Sequence, residues 1–254
     1  MAIQKMLKNC VTCRRLRAAP CTPRMADLPV ERTSPAPPFT AVELDVFGHW
    51  WITSGQSTRK NSSLRKCWAT IFTCMASRAV HVECLPAMDT STFINCFKRF
   101  LAIRGPCSSV RSDRGSNFLG VKKQSTDIDI ERVSRTLADL GVAWTMNPPQ
   151  ASHFGGVWER KIGQVRRALD AAILSTGARA LTYDELNTFL QESAAIVNST
   201  PLWDSPLDPN EIAPTTPSML LTQKFGPDRS SSTLNSHRET PWPTGPVGGG
   251  VSSC

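Results

Sequence analysis

From Phe39 onward, polar and apolar positions fall into regular periods. In "FTAVELDVFGHWWI" the apolar Val42, Leu44 and Val46 interleave with Glu43, Asp45 and Phe47, the period of two that marks a strand. "CWATIFTCMA" and "RAVHVECL" are two more strands, and only Ser77 separates them, which predicts a hairpin. The period then changes. "DTSTFINCFKRFLAIRG" sets Phe93, Ile94, Phe97, Phe100 and Leu101 on one helical face, with Asp89 or Thr90 to cap its start and Gly105 its end. "SSVRSD" is a short strand ending in Asp113. "DIDIERVSRTLADLG" is an amphipathic helix stopped by Gly141, and "VAWTMNP" is a fifth strand broken by Pro148-Pro149. After the loop "QASHFGG", residues 157–176 form a helix with Trp158, Ile162, Val165, Leu169 and Ile173 on one side. "TYDELNTFLQESAAIVNST" is a further helix capped by Thr182. Three strands, helix, strand, helix, strand, helix, helix is the order of an α/β fold, a mixed central sheet flanked by helices.

The flanks have a different texture. Residues 14–38 are rich in Pro and Arg without a period and read as an extended linker. The organisation expected is 1–38 as an N-terminal segment with that linker, 39–224 as the core with a C-terminal helical extension, and 225–254 as a tail. The tail, "GPDRSSSTLNSHRETPWPTGPVGGGVSSC" after Phe225, buries too little apolar surface to fold and is expected to be disordered.

Charge narrows the partners. The 254 residues carry a formal net charge of +8 and a pI near 9.2, which favours polyanions, although a merely solvated basic surface is the alternative. Residues 1–38 hold seven Lys/Arg against two Asp/Glu. The nine cysteines are an odd number scattered through strands and helices, which suits reduced thiols in a nuclear or cytoplasmic protein better than a secreted disulfide scaffold. No apolar run reaches the roughly 20 residues of a membrane span, and "MAIQKMLKNC" lacks a signal-peptide core. No membrane role is expected.

Three carboxylates stand out by position. Asp45 interrupts an apolar strand, Asp113 ends another, and Glu159 opens a helix after Gly155-Gly156. If the first strand lies centrally beside the fourth, they converge. Clustered carboxylates repel one another unless a cation neutralises them, and hard oxygen ligands select Mg²⁺ or Mn²⁺. Two such ions would serve phosphoryl transfer. The bland alternative is a capping Glu, a turn Asp and a partly buried Asp paired with an arginine.

The blocks "ELDVFGHW", "STRK", "IFTCMASRAVHVE", "SDRGSNF", "NPPQASHFGGVWER" and "IVNSTPL…SPLDPNEIAPTTPSMLL" together resemble the catalytic core of retroelement integrases, of the BEL/Pao retrotransposon type, over residues 39–222. The resemblance implies an RNase H-like fold. It implies a catalytic and metal-binding Asp/Asp/Glu triad carried onto Asp45, Asp113 and Glu159, with Mg²⁺-dependent trimming of DNA ends and their joining to target DNA. It also implies a homo-oligomer. The chain departs from the family in three places. Family integrases begin with a zinc module of two histidines and two cysteines; Cys10 and Cys13 match its second half, but no histidine precedes them, so no complete zinc site is expected within one chain. The tail does not resemble the family's continuation, so the chain reads as a truncated copy. Arg114 stands where the family has Asn.

Arg166 lies seven positions after Glu159, on the same helical face, where it could touch DNA phosphate or simply be solvated; Arg160 and Lys161 add basicity. His153 reads as a plain loop histidine. Trp50, Trp51, Trp68, Trp144 and Trp158 read as packing residues rather than base-stacking platforms. Three functions remain open: a DNA-joining polynucleotidyl transferase, a non-catalytic nucleic-acid-binding remnant, and an RNase H-type nuclease.

Overall fold

Strand β1 (Ala41–Thr53) is the centre of the sheet in this computed structural model, which describes residues 6, 9–12, 28–53, 64–113, 128–147, 156–177, 181–203 and 214–224. The chain divides into two compact units, Met1–Thr33 and Ser34–Cys254. In the first, Cys10 N–H donates to the Met6 carbonyl at 3.0 Å and Val30–Thr33 forms one helical turn. Cys13 lies outside the described residues, as do Arg114, His153 and the tail from residue 225.

In the second unit, β1 pairs antiparallel with β2 (Leu64–Cys74), and β2 pairs antiparallel with β3 (Val80–Leu85), which is the expected hairpin. On its other side β1 pairs in parallel with β4 (Ser109–Ser112), and β4 with β5 (Ala143–Met146), giving the order β3-β2-β1-β4-β5. A two-residue strand not evident from the sequence, β6 (Leu181–Thr182), joins the end of β1 through Ile52 and Leu181. The sheet is mixed, as the element order requires.

Helices cover both faces. On one, α1 (Thr90–Arg104) and α2 (Ile130–Asp139) bury Phe93, Phe97, Phe100, Val133 and Leu137 against Val42, Leu44 and Val46. Asp89 caps α1 by accepting from Thr92 N–H at 2.9 Å, and Gly105, with φ 88°, donates its N–H to Leu101. On the other face, α3 (Gly156–Thr176) and α4 (Tyr183–Asn198) bury Val165, Leu169, Leu186 and Leu190 against Phe47, Ile71 and Val82. Thr182 and Glu185 form a full capping box at the start of α4. A short α5 (Pro217–Thr222) follows, capped by Thr216.

The expected alternation in β1 holds, but its second face is not open to solvent. Phe47 is buried and Glu43 is only 4% exposed, because α3 and α4 lie over that face. The phase then shifts: Phe47 faces Ala69 while Trp50 faces Cys67, so β1 spends one more residue than β2. Gly48 makes this bulge possible, with φ 103° and a Cβ position that would meet the Trp50 ring at 2.5 Å. The bulge keeps Trp50 and Ile52 on the Phe47 face and turns Trp51 to the opposite one. Trp51 is 52% exposed there, which corrects its assignment to the core; Trp158 is fully buried, and Trp50, Trp68 and Trp144 pack against the two cores as expected.

The outer edge of β3 is closed by side chains rather than by another strand. Val80 N–H donates to Asn198 Oδ1 at 2.8 Å, and Asn198 Nδ2 donates back to the Val80 carbonyl at 2.9 Å. Gln191 Nε2 takes the Val82 carbonyl at 2.6 Å. Beside it, Glu83 accepts from His81 Nε2 at 3.0 Å and Arg99 Nε at 2.7 Å, while Arg104 Nε donates to His81 Nδ1 at 3.2 Å. That last bond puts the His81 proton on Nε2. Burial opposes the charge on Glu83, yet the bonds from His81 and Arg99 hold its carboxyl below the usual range. Asn198→Leu keeps the volume and leaves the Val80 amide and carbonyl without partners. It is expected to lower unfolding free energy by about 2 kcal/mol. Urea unfolding would register this as a lower midpoint at constant slope; an unchanged midpoint would show that the edge needs no such closure.

Candidate active site

Strand register brings the first two carboxylates together. Leu44 sits opposite Ser112 in the parallel β1–β4 pair, so the next residues, Asp45 and Asp113, stand side by side where β4 ends. Leu44 and Val110 pack on the α1 and α2 side, so by alternation Asp45 and Asp113 leave the sheet on the side of α3. The end of β4 is fixed from β5, where Trp144 Nε1 donates to the buried Ser112 Oγ at 2.9 Å.

The third carboxylate comes from the helix over that face. Glu159 is exposed in the first turn of α3, where the helix dipole favours a negative charge. Trp158, at 2% exposure, anchors that turn, and Val165 and Leu169 hold the following turns to the core.

The charges register on Asp45, which is half-buried and pushed up from 3.8 to about 6. Burial is the largest cause, and the neighbouring Asp113 and Glu159 charges add to it; the Val46 N–H, 2.8 Å from Oδ1, and the Arg166 charge pull the other way. Asp113 and Glu159 therefore both lie close enough to act on Asp45. Among the described residues, no group of three or more His, Cys, Asp or Glu side chains is placed to hold a metal ion. The donor set still fits Mg²⁺ or Mn²⁺, which bind through one or two carboxylates and keep water or substrate oxygens in the remaining positions.

Cations line α3. The Arg166 guanidinium lies 5.7 Å from the centre of the Phe47 ring, two residues along β1 from Asp45 on the same face. Arg160 is exposed. Lys161 is half-buried, and burial, followed by the nearby Arg160 charge, lowers its pKa. Sequence reasoning missed two supports of this site, the Phe47 shelf under Arg166 and the Trp144–Ser112 bond. An aromatic residue in the polar phase of β1 was the available signal for the first. The second joins residues 32 apart and left no local trace.

Residues 36–152 match the family described as Integrase core domain. The match includes Asp45 and Asp113 and ends before Glu159. No curated protein matches the chain. The structure is similar to a chain of the simian T-cell lymphotropic virus intasome in complex with a PP2A regulatory subunit, at TM-score 0.55 and 16% identity over 99% of this chain and 72% of that one. It is also similar, at TM-score 0.47, to the HTLV-2 integrase catalytic core domain in complex with magnesium, with 15% identity over 72% of this chain and 97% of that one. The catalytic core domain of BIV integrase gives TM-score 0.47 and 17% identity over 73% of this chain and 95% of that one. A mixed sheet between two helical layers, with an integrase core domain match across its central strands, gives this chain the RNase H-like fold of integrase catalytic cores.

Proposed function

We propose that the chain is an integrase-type polynucleotidyl transferase, of BEL/Pao retrotransposon kind, that trims DNA ends and joins them to target DNA. The observation supporting this is that Asp113 and Glu159 both act on the Asp45 carboxyl at the end of β4, in a protein of net charge +8. In this reading Asp45 and Asp113 hold Mg²⁺ or Mn²⁺ from the sheet and Glu159 from α3. Bound there, the ions supply Lewis-acid activation of the attacking oxygen and relieve charge on the leaving one. Arg166, resting on Phe47, grips a DNA phosphate, and Arg160 and Lys161 extend that contact along α3.

Trimming is attack by water on a phosphodiester near the DNA end, which forms one P–O bond, breaks another and frees a 3′-hydroxyl. Joining repeats the displacement with that hydroxyl as nucleophile and the target strand's 3′-oxygen as leaving group. One phosphodiester is exchanged for another, so no protein–DNA bond is needed. The working form is a homo-oligomer on DNA, in the nucleus, without zinc held by Cys10 and Cys13 of one chain. A non-catalytic DNA-binding remnant is the second reading, favoured by the lack of a closed three-ligand group among the described residues.

The metal site has a stability signature. A carboxyl whose folded pKa is raised binds its proton more tightly in the folded state, so stability present below about 4 is lost as pH rises through about 6. In EDTA this loss is expected to be about 3 kcal/mol, and Asp45→Asn should flatten it. Saturating Mg²⁺ should restore stability above that window in the wild type and much less in Asp113→Asn. If both proteins respond to Mg²⁺ identically in thermal unfolding, the ligand assignment is wrong.

Catalysis is tested separately. A labelled duplex mimicking a DNA end should be joined into plasmid DNA with Mg²⁺, and Glu159→Gln should abolish joining while retaining DNA binding. Equal binding by both proteins with joining by neither would establish the remnant instead.

A further inference from the structure

The far end of the β1–β2 ribbon carries an aromatic strip that neither core absorbs. Trp51 lies opposite Lys66, whose ammonium is 5.5 Å from the centre of the indole. His49 meets Trp51 edge-on at 5.8 Å and Trp68 at 6.0 Å. Trp68 packs against the α1 and α2 core, so the strip runs from that core outward to an indole that is half in solvent. His49, Leu64 and Lys66 are exposed around it.

The sequence of this ribbon is one-sided in charge. From Val46 to Val82 the chain has five Lys or Arg and not one Asp or Glu. A protein-docking patch would surround its indole with apolar neighbours. Here a lysine and an imidazole stand beside the indole, with Leu64 the one exposed aliphatic neighbour, a combination that suits a polyanion offering a flat π surface. In a duplex the base faces are covered by stacking, so an exposed indole gains a partner only from unpaired nucleotides.

We propose that Trp51, His49 and Trp68 form a stacking platform for unpaired DNA, with Lys66 on its phosphates. The platform rests on the DNA-joining reading for its class of partner and adds where a single-stranded segment lies. It stands apart from the carboxylates, because the Gly48 bulge turns Trp51 to the face opposite Asp45.

Binding of the full chain to oligo-dT and to a duplex of equal length, followed by fluorescence anisotropy, tests this. Trp51→Ala should weaken oligo-dT binding about 5- to 100-fold and leave duplex binding unchanged. Trp51→Phe should retain most of the oligo-dT affinity. Lys66→Gln should weaken both ligands and reduce the dependence of binding on salt by about one counterion. Equal loss of both ligands in Trp51→Ala, or no loss of either, would overturn the platform. So would dissociation of a wild-type oligomer by Trp51→Ala with oligo-dT affinity intact, since the strip would then be a protein contact. Joining by the wild type with no effect of Trp51 would sink the platform alone. Binding of neither DNA by the wild type would remove the DNA-joining reading beneath it.

Discussion

Strand β1 cannot shift without losing both cores, and that constraint sets the position of everything else. It is hydrogen-bonded to β2 on one side and β4 on the other. Val42, Leu44 and Val46 are buried under α1 and α2, while Phe47 and Ile52 are buried under α3 and α4. A slip of one residue would move each set to the wrong layer and carry Asp45 into the α1 side. The carboxylate is thus held in place mainly by the packing of its neighbours. The same register delivers Asp113, because β4 ends at its last pairing with β1, Leu44 opposite Ser112, and Asp113 is the next residue.

What packing holds there is electrostatically unfavourable by itself. Burial and two neighbouring carboxylates raise Asp45, and one local amide and Arg166 only partly offset them. The Arg166 guanidinium lies over the Phe47 ring. By contrast, the buried Glu83 has both oxygens occupied by His81 and Arg99. Glu83 is thus satisfied at both oxygens. At Asp45, burial and two carboxylates work against the charged form, a perturbation of the kind that clusters at functional sites.

Much of this was legible because it is periodic. The helix faces of α1 and α3, the Asp89 and Thr182 caps and the β2–β3 hairpin depend on residues three to four or two apart, and local rules reach them. The pairing of β1 with β4 was only a condition on which convergence of the carboxylates depended, and the register meets it by setting Leu44 opposite Ser112. The illegible features join distant residues. Asn198 and Val80 are separated by 118 positions, and nothing local marks an asparagine at a helix end as the closure of a strand edge. Trp51 was misread for a different reason. Strict alternation assumes a constant phase, and Gly48 changes that phase by one residue.

That phase change also resolves a conflict between two electrostatic demands. Carboxylates that gather a cation repel the phosphates of a polyanionic substrate, so a cationic surface is needed where it cannot neutralise them. With regular alternation, Trp51 would share the face of Asp45, while Lys66, in phase with Trp68 and Phe72 along β2, would stay on the opposite one. The bulge keeps Trp50 and Ile52 on the α3 side, completing the core near the carboxylates, and sends Trp51 to the other side of the ribbon, where it meets Lys66 of β2. Charge of one sign is then concentrated at the middle of β1 and charge of the other at its end. The strand separates them along its length, and the two faces of the ribbon separate them across the sheet. At ordinary ionic strength the screening length is about 8–10 Å, shorter than six residues of extended strand at about 3.3 Å each. The cations beside Trp51 can therefore attract phosphate without occupying the carboxylates, while Arg166, within the field of Asp45, is the cation placed to connect the two regions.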